Sequence, residues 1–201
     1  MSPEAPDRSV LSAIMSTESE RPLRQDAARN RERLIAAARR AFADSGPDVP
    51  LEEIARAAGV SRTTLYRNFE TREQLAAEIY TDNMDRIVHR AAELAGRPDG
   101  LVALVDFVLD IQLSGNQGLA RVMIPGSDRA LALALGGRFR AALEPLLEVG
   151  RRAGVLRPEV DVEDVMLAFP MAAAGFSLGS EEASRRARRM VHRALFATAP
   201  G

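Results

Sequence analysis

The stretch GVSRTTLYRNFETREQL, residues 59–75, contains two helix starts, at Ser61 and Thr71, around one very short helix. Gly59 stands where a left-handed residue ends a preceding helix, a conformation that glycine takes without strain. Val60 is the apolar residue that plugs the turn against a core. Ser61 can accept the free backbone N–H groups that open the next helix, so the chain starts again after only two residues. Two helices joined by so tight a turn cross steeply, in the helix-turn-helix arrangement.

The short helix that follows has two core positions, Leu65 and Phe69, one turn apart. That leaves Arg62, Thr63, Thr64, Tyr66, Arg67 and Asn68 facing outward. Two turns with so little apolar surface are marginal alone, so neighbouring helices must hold them. The exposed residue types suit a DNA major groove. Arg can fork onto guanine, Asn can pair with adenine, Thr can meet a phosphate or a thymine methyl, and Tyr can reach a phosphate. Thr71 with Gln74 forms a capping-box pattern, placing Arg72 and free N–H groups where a phosphate would bind.

Working upstream, Leu34, Ile35, Ala38, Ala41 and Phe42 mark one face of a helix from Ala27, which DSGPDVP (44–50) stops. A second helix covers Leu51 to Ala58, with Glu52 and Glu53 in its first turn, where the helix dipole favours acids. Residues 1–25, rich in Ser, Pro, Glu and Asp, read as a disordered tail, and Met15 opens a plausible second start. Downstream, a long helix runs from Arg72 to Leu94 and ends at GRPDG (96–100). A helix from Leu101 to Leu113, a polar SGNQG loop, a short helix near Leu119 to Ile124 and a Ser127-capped helix to Arg152 follow, with Pro145 expected to kink or break the last. GVLRPEVD (154–161) separates it from a helix over Val162 to Leu178, interrupted at Pro170. Ser180 caps the final helix. No convincing strand appears. The expected fold is all-α, with about nine helices: a tail over 1–25, a helix-turn-helix head over 26–72, and a ligand-binding and dimerisation bundle over 73–201.

Composition narrows the function classes. Hydrophobic residues make up 46% of the 201, enough for a real core, while aromatics contribute 4% and tryptophan none. Cysteine is absent, which excludes disulfides, thiol nucleophiles and cysteine metal sites. No apolar run reaches the ~18 residues of a membrane helix, and no signal peptide opens the chain, so a cytoplasmic location is expected. All 27 basic residues are arginine, and the formal net charge is -1. That average hides an asymmetry: residues 21–72 hold eleven arginines against seven acids, an excess confined to the segment around the short helix.

The run LEEIARAAGVSRTTLYRNFETREQL resembles the DNA-binding head of the TetR family of bacterial transcriptional regulators. The likeness lies in its Val-Ser turn, its Leu-Tyr pair, the Phe three residues after Tyr, and the charged cap leading to Leu. It covers about residues 28–80. AGVLRPEVDVEDVMLAF (153–169) resembles the segment that often opens the penultimate helix of that family. By this resemblance, Ser61 to Phe69 is the recognition-helix region, Thr64 and Tyr66 contact phosphate, and Arg62, Thr63, Arg67 and Asn68 are candidate base readers. Arg72 stands where the family commonly carries lysine. The resemblance also implies a homodimer on palindromic operator DNA, assembled through the last two helices, and a small-molecule effector bound in the bundle. Repression is the expected sign, and no cofactor is implied. Candidate lining residues for the effector are Met84, Phe107, Met123, Phe139, Met166 and Phe169, which at helical spacing read first as core. The alternative is a protein of the same fold that binds a small molecule or protein without specific DNA binding.

Other features carry less. His89 and His192 are far apart, and no nucleophile motif accompanies them, so neither an enzyme nor a metal site is expected. Gly136 and Gly137 follow a helical run with no lysine, unlike a phosphate loop. The arginines of SRRARRM (184–190) read as a solvated face, and Arg21, Arg24, Arg29 and Arg31 as either a phosphate-contacting arm or a solvated helix start.

Overall fold

The computed structural model describes residues 8–45, 48–116 and 129–197. They form α1 (Arg8–Ser45), α2 (Leu51–Ala58), α3 (Arg62–Asn68), α4 (Arg72–Leu94), α5 (Gly100–Ile111), a π-helical turn (Gln112–Asn116), α6 (Arg129–Arg152), α7 (Val162–Phe176) and α8 (Glu181–Leu195). Among the described residues there is no strand, only an isolated antiparallel bridge between Leu156 and Phe196. The all-α class and the head-then-bundle order are as the periodicity predicts. The short helix expected near Leu119 to Ile124, the cap Ser127 and the candidate Met123 lie outside the described residues.

Two separate cores organise the helices. The head core gathers Leu34, Ala37, Ala38 and Phe42 of α1, Ile54, Ala55 and Ala58 of α2, Leu65 and Phe69 around α3, and Leu75, Ala76 and Ile79 of α4. The bundle core takes Ile87, Ala91 and Leu94 from the other end of α4 and joins them to apolar faces of α5, α6, α7 and α8. α4 therefore belongs to both cores.

Three expectations are corrected. α1 begins at Arg8, so the backbone is helical across residues 8–25, where the composition predicts a disordered tail. Extending an existing helix costs far less than nucleating one, and the packed turns from Leu34 onward supply the nucleus. α6 continues through Pro145 without a break, and α7 through Pro170. Both prolines are exposed while Leu143, Leu146 and Leu147 beside one, and Phe169 and Ala172 beside the other, are buried. Each ring thus removes a hydrogen bond on the solvent side, where packing opposite it offsets the loss.

The C-terminal helices are tied in by short-range devices. Gly154 (φ 69) ends α6, and Val155 N–H donates back to the Gly150 carbonyl at 3.0 Å. Arg157 N–H donates to the Leu195 carbonyl at 3.1 Å and Ala197 N–H to Val155 at 2.8 Å, which fixes the end of α8 beside the end of α6. A Cβ built on Gly175 of α7 would stand 2.7 Å from the Ala187 Cβ of α8. Gly175, the last residue of the run AAAG (172–175), therefore lets α7 and α8 of one chain approach closely.

Candidate nucleic-acid interface

The turn between α2 and α3 is built by backbone geometry. Gly59 adopts φ 65, ψ 36, and its N–H reaches the Arg56 carbonyl at 3.1 Å, while Val60 N–H reaches Ala55 at 3.0 Å. This closes α2 with a left-handed glycine cap. A side chain at residue 59 would also have to displace the Arg33 guanidinium, whose Nη2 lies 2.6 Å from the would-be Cβ. Ser61 then caps α3: its Oγ accepts the Thr64 N–H at 3.1 Å and lies 2.9 Å from the Thr64 hydroxyl. Ile54 and Leu65 are completely buried and Phe69 nearly so, and Val60 packs half-buried against the same core.

With Leu65 turned inward, α3 presents Arg62, Thr63, Tyr66 and Arg67 to solvent, and Ser61 and Thr64 sit at its start. Asn68 differs from the other expected base readers. It is half-buried, and its Nδ2 donates to the Thr64 carbonyl at 2.7 Å, a bond within its own helix. It faces a cleft of about 390 Å³ shared with Arg31, Gln74, Glu78 and Leu131 of α6.

Glu52 of α2 is the group that sequence reasoning overlooked here. Its Oε1 accepts the Tyr66 hydroxyl at 2.9 Å and is 3.1 Å from the Arg62 guanidinium. The guanidinium in turn lies 5.6 Å from the centre of the Tyr66 ring, within cation–π range. The Glu52 carboxyl is held below its ordinary range, first by backbone hydrogen bonding at the helix start, then by the Tyr66 hydroxyl and the Arg62 charge. Only its place in the first turn of α2 is visible in the sequence. The contact with Tyr66, fourteen positions on, depends on how the turn folds.

Behind α3, Thr71 caps α4 by accepting the Gln74 N–H at 3.2 Å. The expected reciprocal bond is displaced by one residue, because the Gln74 side chain accepts from Glu70 N–H at 2.8 Å instead of from Thr71. Arg72 opens α4 with its guanidinium 4.0 Å from Asp48. Of the proposed basic arm, Arg29 pairs loosely with Asp26 at 3.7 Å, while Arg31 is built into the head, 2.8 Å from Glu78 and over the Phe69 ring. Arg31 is thus packed against the head rather than fully solvated. Arg21 and Arg24 fall in the stretch of α1 whose side chains are not described.

In the bundle, the Phe139 and Phe169 rings meet at a tilt of 51° with centroids 5.3 Å apart, and Arg86 lies 5.9 Å from the Phe107 ring. Phe107, Phe139 and Met166 pack half-buried against the bundle core, Phe169 lies within it, and Met84 is half-buried on α4. The solvated reading of the last-helix arginines holds for Arg185, Arg186 and Arg189, which pair with Glu181 and Glu182. Arg188 departs from it. It is partly buried and bridges Asp106 and Asp110 of α5, next to buried His192, whose Nε2 is 2.9 Å from Asp106. No group of three or more His, Asp or Glu able to hold a metal occurs among the described residues, and none of their helices is long and apolar enough to cross a membrane. A groove of about 530 Å³ runs along α7 and α8, and Leu167 and Met171 of α7, Met190 of α8 and Leu178 in the turn between them are 58–75% exposed.

Comparison with known proteins agrees with this geometry. Residues 34–79 match the family model for bacterial regulatory proteins of the tetR family. A TetR transcription regulatory protein from Mycobacterium vanbaalenii is 32% identical, with a TM-score of 0.66, and the match covers 88% of this chain and 100% of that one. A TetR transcriptional regulator from Streptomyces coelicolor is 27% identical over 80% of this chain and 93% of its own, with a TM-score of 0.59. A TetR-family regulator from Agrobacterium tumefaciens, at 14% identity, shares the fold with a TM-score of 0.63 over 84% of this chain and 99% of its own. None of the curated proteins matches the chain. A head built on a Gly59 cap and a Ser61 restart, with full-length likeness to regulators of this kind, has one reading: the chain belongs to the TetR family of bacterial transcriptional regulators and carries its DNA-binding helix-turn-helix.

Proposed function

We propose that this regulator is a cytoplasmic repressor that binds a palindromic operator as a homodimer and is released by a small molecule in the bundle. The observation that carries the DNA half is the face of α3: Arg62, Thr63, Tyr66 and Arg67 stand exposed on a helix whose other side is locked into the head core. Arg62, Thr63 and Arg67 are the base readers in this proposal, and Ser61, Thr64, Tyr66 and Arg72 take phosphates. Asn68 joins the base readers only on giving up its bond to Thr64.

The apolar groove on α7 and α8 supports the dimer. Four large apolar side chains left exposed, three on these two helices and Leu178 in the turn between them, form a surface that a second copy would cover. One head offers few contacts, whereas two heads about 34–36 Å apart reach successive major grooves. The effector would occupy the bundle beside Met84, Phe107, Phe139, Met166 and Phe169. Because α4 is shared by both cores, a ligand that moves its bundle end would change the spacing of the heads. The test is an operator selected from genomic fragments. Tyr66→Phe and Arg67→Ala should each weaken binding to it, and unchanged binding by both would contradict the assignment of α3.

A further inference from the structure

Two α3 side chains that could each hold a phosphate oxygen, Arg62 and Tyr66, already hold an anionic oxygen. Glu52 Oε1 receives both the Tyr66 hydroxyl and the Arg62 guanidinium, on the face that the proposed function turns toward DNA. A phosphate would offer these donors the same thing: one negative oxygen at hydrogen-bonding distance. We propose that Glu52 is a specificity-determining residue, an internal stand-in for a DNA phosphate that suppresses binding to arbitrary sequence.

The reasoning is an exchange balance. On an arbitrary duplex, Arg62 and Tyr66 trade a carboxylate oxygen for a phosphate oxygen and gain little. The displaced carboxylate is then left beside the polyanion, where it repels. On a matched site, Arg62 gains something Glu52 cannot imitate, the paired acceptors of a guanine edge. Glu52 therefore penalises sequence-independent binding more than operator binding and widens the ratio between them. Glu53 provides the internal comparison. It is exposed in the same turn of α2 and carries the same charge, but Glu52 is the carboxylate that Arg62 and Tyr66 meet.

This inference rests on the proposed contact of α3 with DNA, and the experiment separates the two. Binding of the full chain to a fluorescent 24-base-pair duplex of arbitrary mixed sequence is measured from 50 to 300 mM salt for the parent, Glu52→Gln, Glu52→Ala and Glu53→Gln. Freeing one arginine for one further phosphate steepens the salt dependence by about 0.9 in log–log slope, or about five- to tenfold in affinity near 100 mM. Both Glu52 variants should show that gain, while Glu53→Gln should change affinity less than about twofold. Unchanged or weaker binding by Glu52→Gln, or an equal gain in Glu53→Gln, would overturn the inference while leaving DNA contact by α3 intact. Weaker binding by Glu52→Ala alone would make Glu52 a support for Tyr66 instead, and would equally overturn it. Absence of salt-dependent binding by the parent and every variant, on this duplex and on selected genomic fragments, would overturn the DNA contact itself and the inference with it.

Discussion

Replacing Leu65 by alanine tests whether the head is the rigid platform on which α3 depends. Leu65 is 0% exposed and is the single buried residue of the seven-residue α3. Deleting its three terminal carbons removes the main apolar anchor of a helix too short to stand alone. Buried Leu→Ala changes cost about 2–5 kcal/mol, and a site enclosed by α1, α2 and α4 belongs near about 3 kcal/mol. With a urea dependence of about 2–3 kcal/mol per molar, the midpoint should fall by about 1–1.5 M. The chain supplies its own reporter. It has two tyrosines and no tryptophan, and Tyr66 lies on α3 while Tyr80 packs against the head core. Tyrosine fluorescence therefore follows the head, and far-UV circular dichroism follows all the helices. Thr63→Ala, on the exposed face, should move the midpoint by less than about 0.5 kcal/mol equivalent. If Leu65→Ala moved the tyrosine midpoint no further than Thr63→Ala, the packing of α3 described above would be wrong.

Other outcomes follow from particular contacts. Burial pushes the Tyr80 phenol from 10.0 up to about 12, so its neutral form contributes about 2–3 kcal/mol that is fully present below pH 10 and lost as pH rises through 12. Phenolate absorbance should show one ionisation near pH 12 that Tyr80→Phe removes. An alkaline transition identical in that variant would refute the burial. Gly175→Ala should lower stability by about 1 kcal/mol net, since the clash with Ala187 outweighs the usual gain of alanine in a helix, and Ala187→Gly should restore it. A stabilised Gly175→Ala in thermal melts would show that α7 and α8 are further apart. Met171→Asp, at 62% exposure in the α7–α8 groove, should weaken self-association at least about 100-fold in sedimentation while leaving the melting temperature of the monomer unchanged. Dimers persisting at the parent affinity would place the interface elsewhere.

The head was readable because its determinants are local. Gly59, Ser61 and Thr71 act within four residues of themselves, and Leu65 and Phe69 mark their buried side by spacing alone. Most of what escaped the sequence is set by distant partners. Arg188 looks solvated on a helical wheel, yet Asp106 and Asp110, about eighty positions earlier, draw it inward. Glu52 reads as a dipole-favoured acid until the turn swings Tyr66 and Arg62 onto it. Asn68 matches adenine by residue type, but its amide is engaged by a carbonyl one turn back. Pro145 and Pro170 look like breaks because local propensity carries no information about the buried leucines and phenylalanine that hold α6 and α7 together. The start of α1 at Arg8 shows the same limit from the other side, since a weakly patterned stretch is carried into a helix by the packed turns that follow it.

A footprint on an operator selected from genomic DNA tests paired-head binding through α3, because it reads the heads, their pairing and the α3 face together. The expected pattern is two protected segments on one face of the duplex, centred about 10–10.5 base pairs or a multiple apart, with Arg67→Ala losing protection at the same base step in both halves. A single protected segment, or a parent pattern unchanged by Arg67→Ala and Tyr66→Phe, would contradict it.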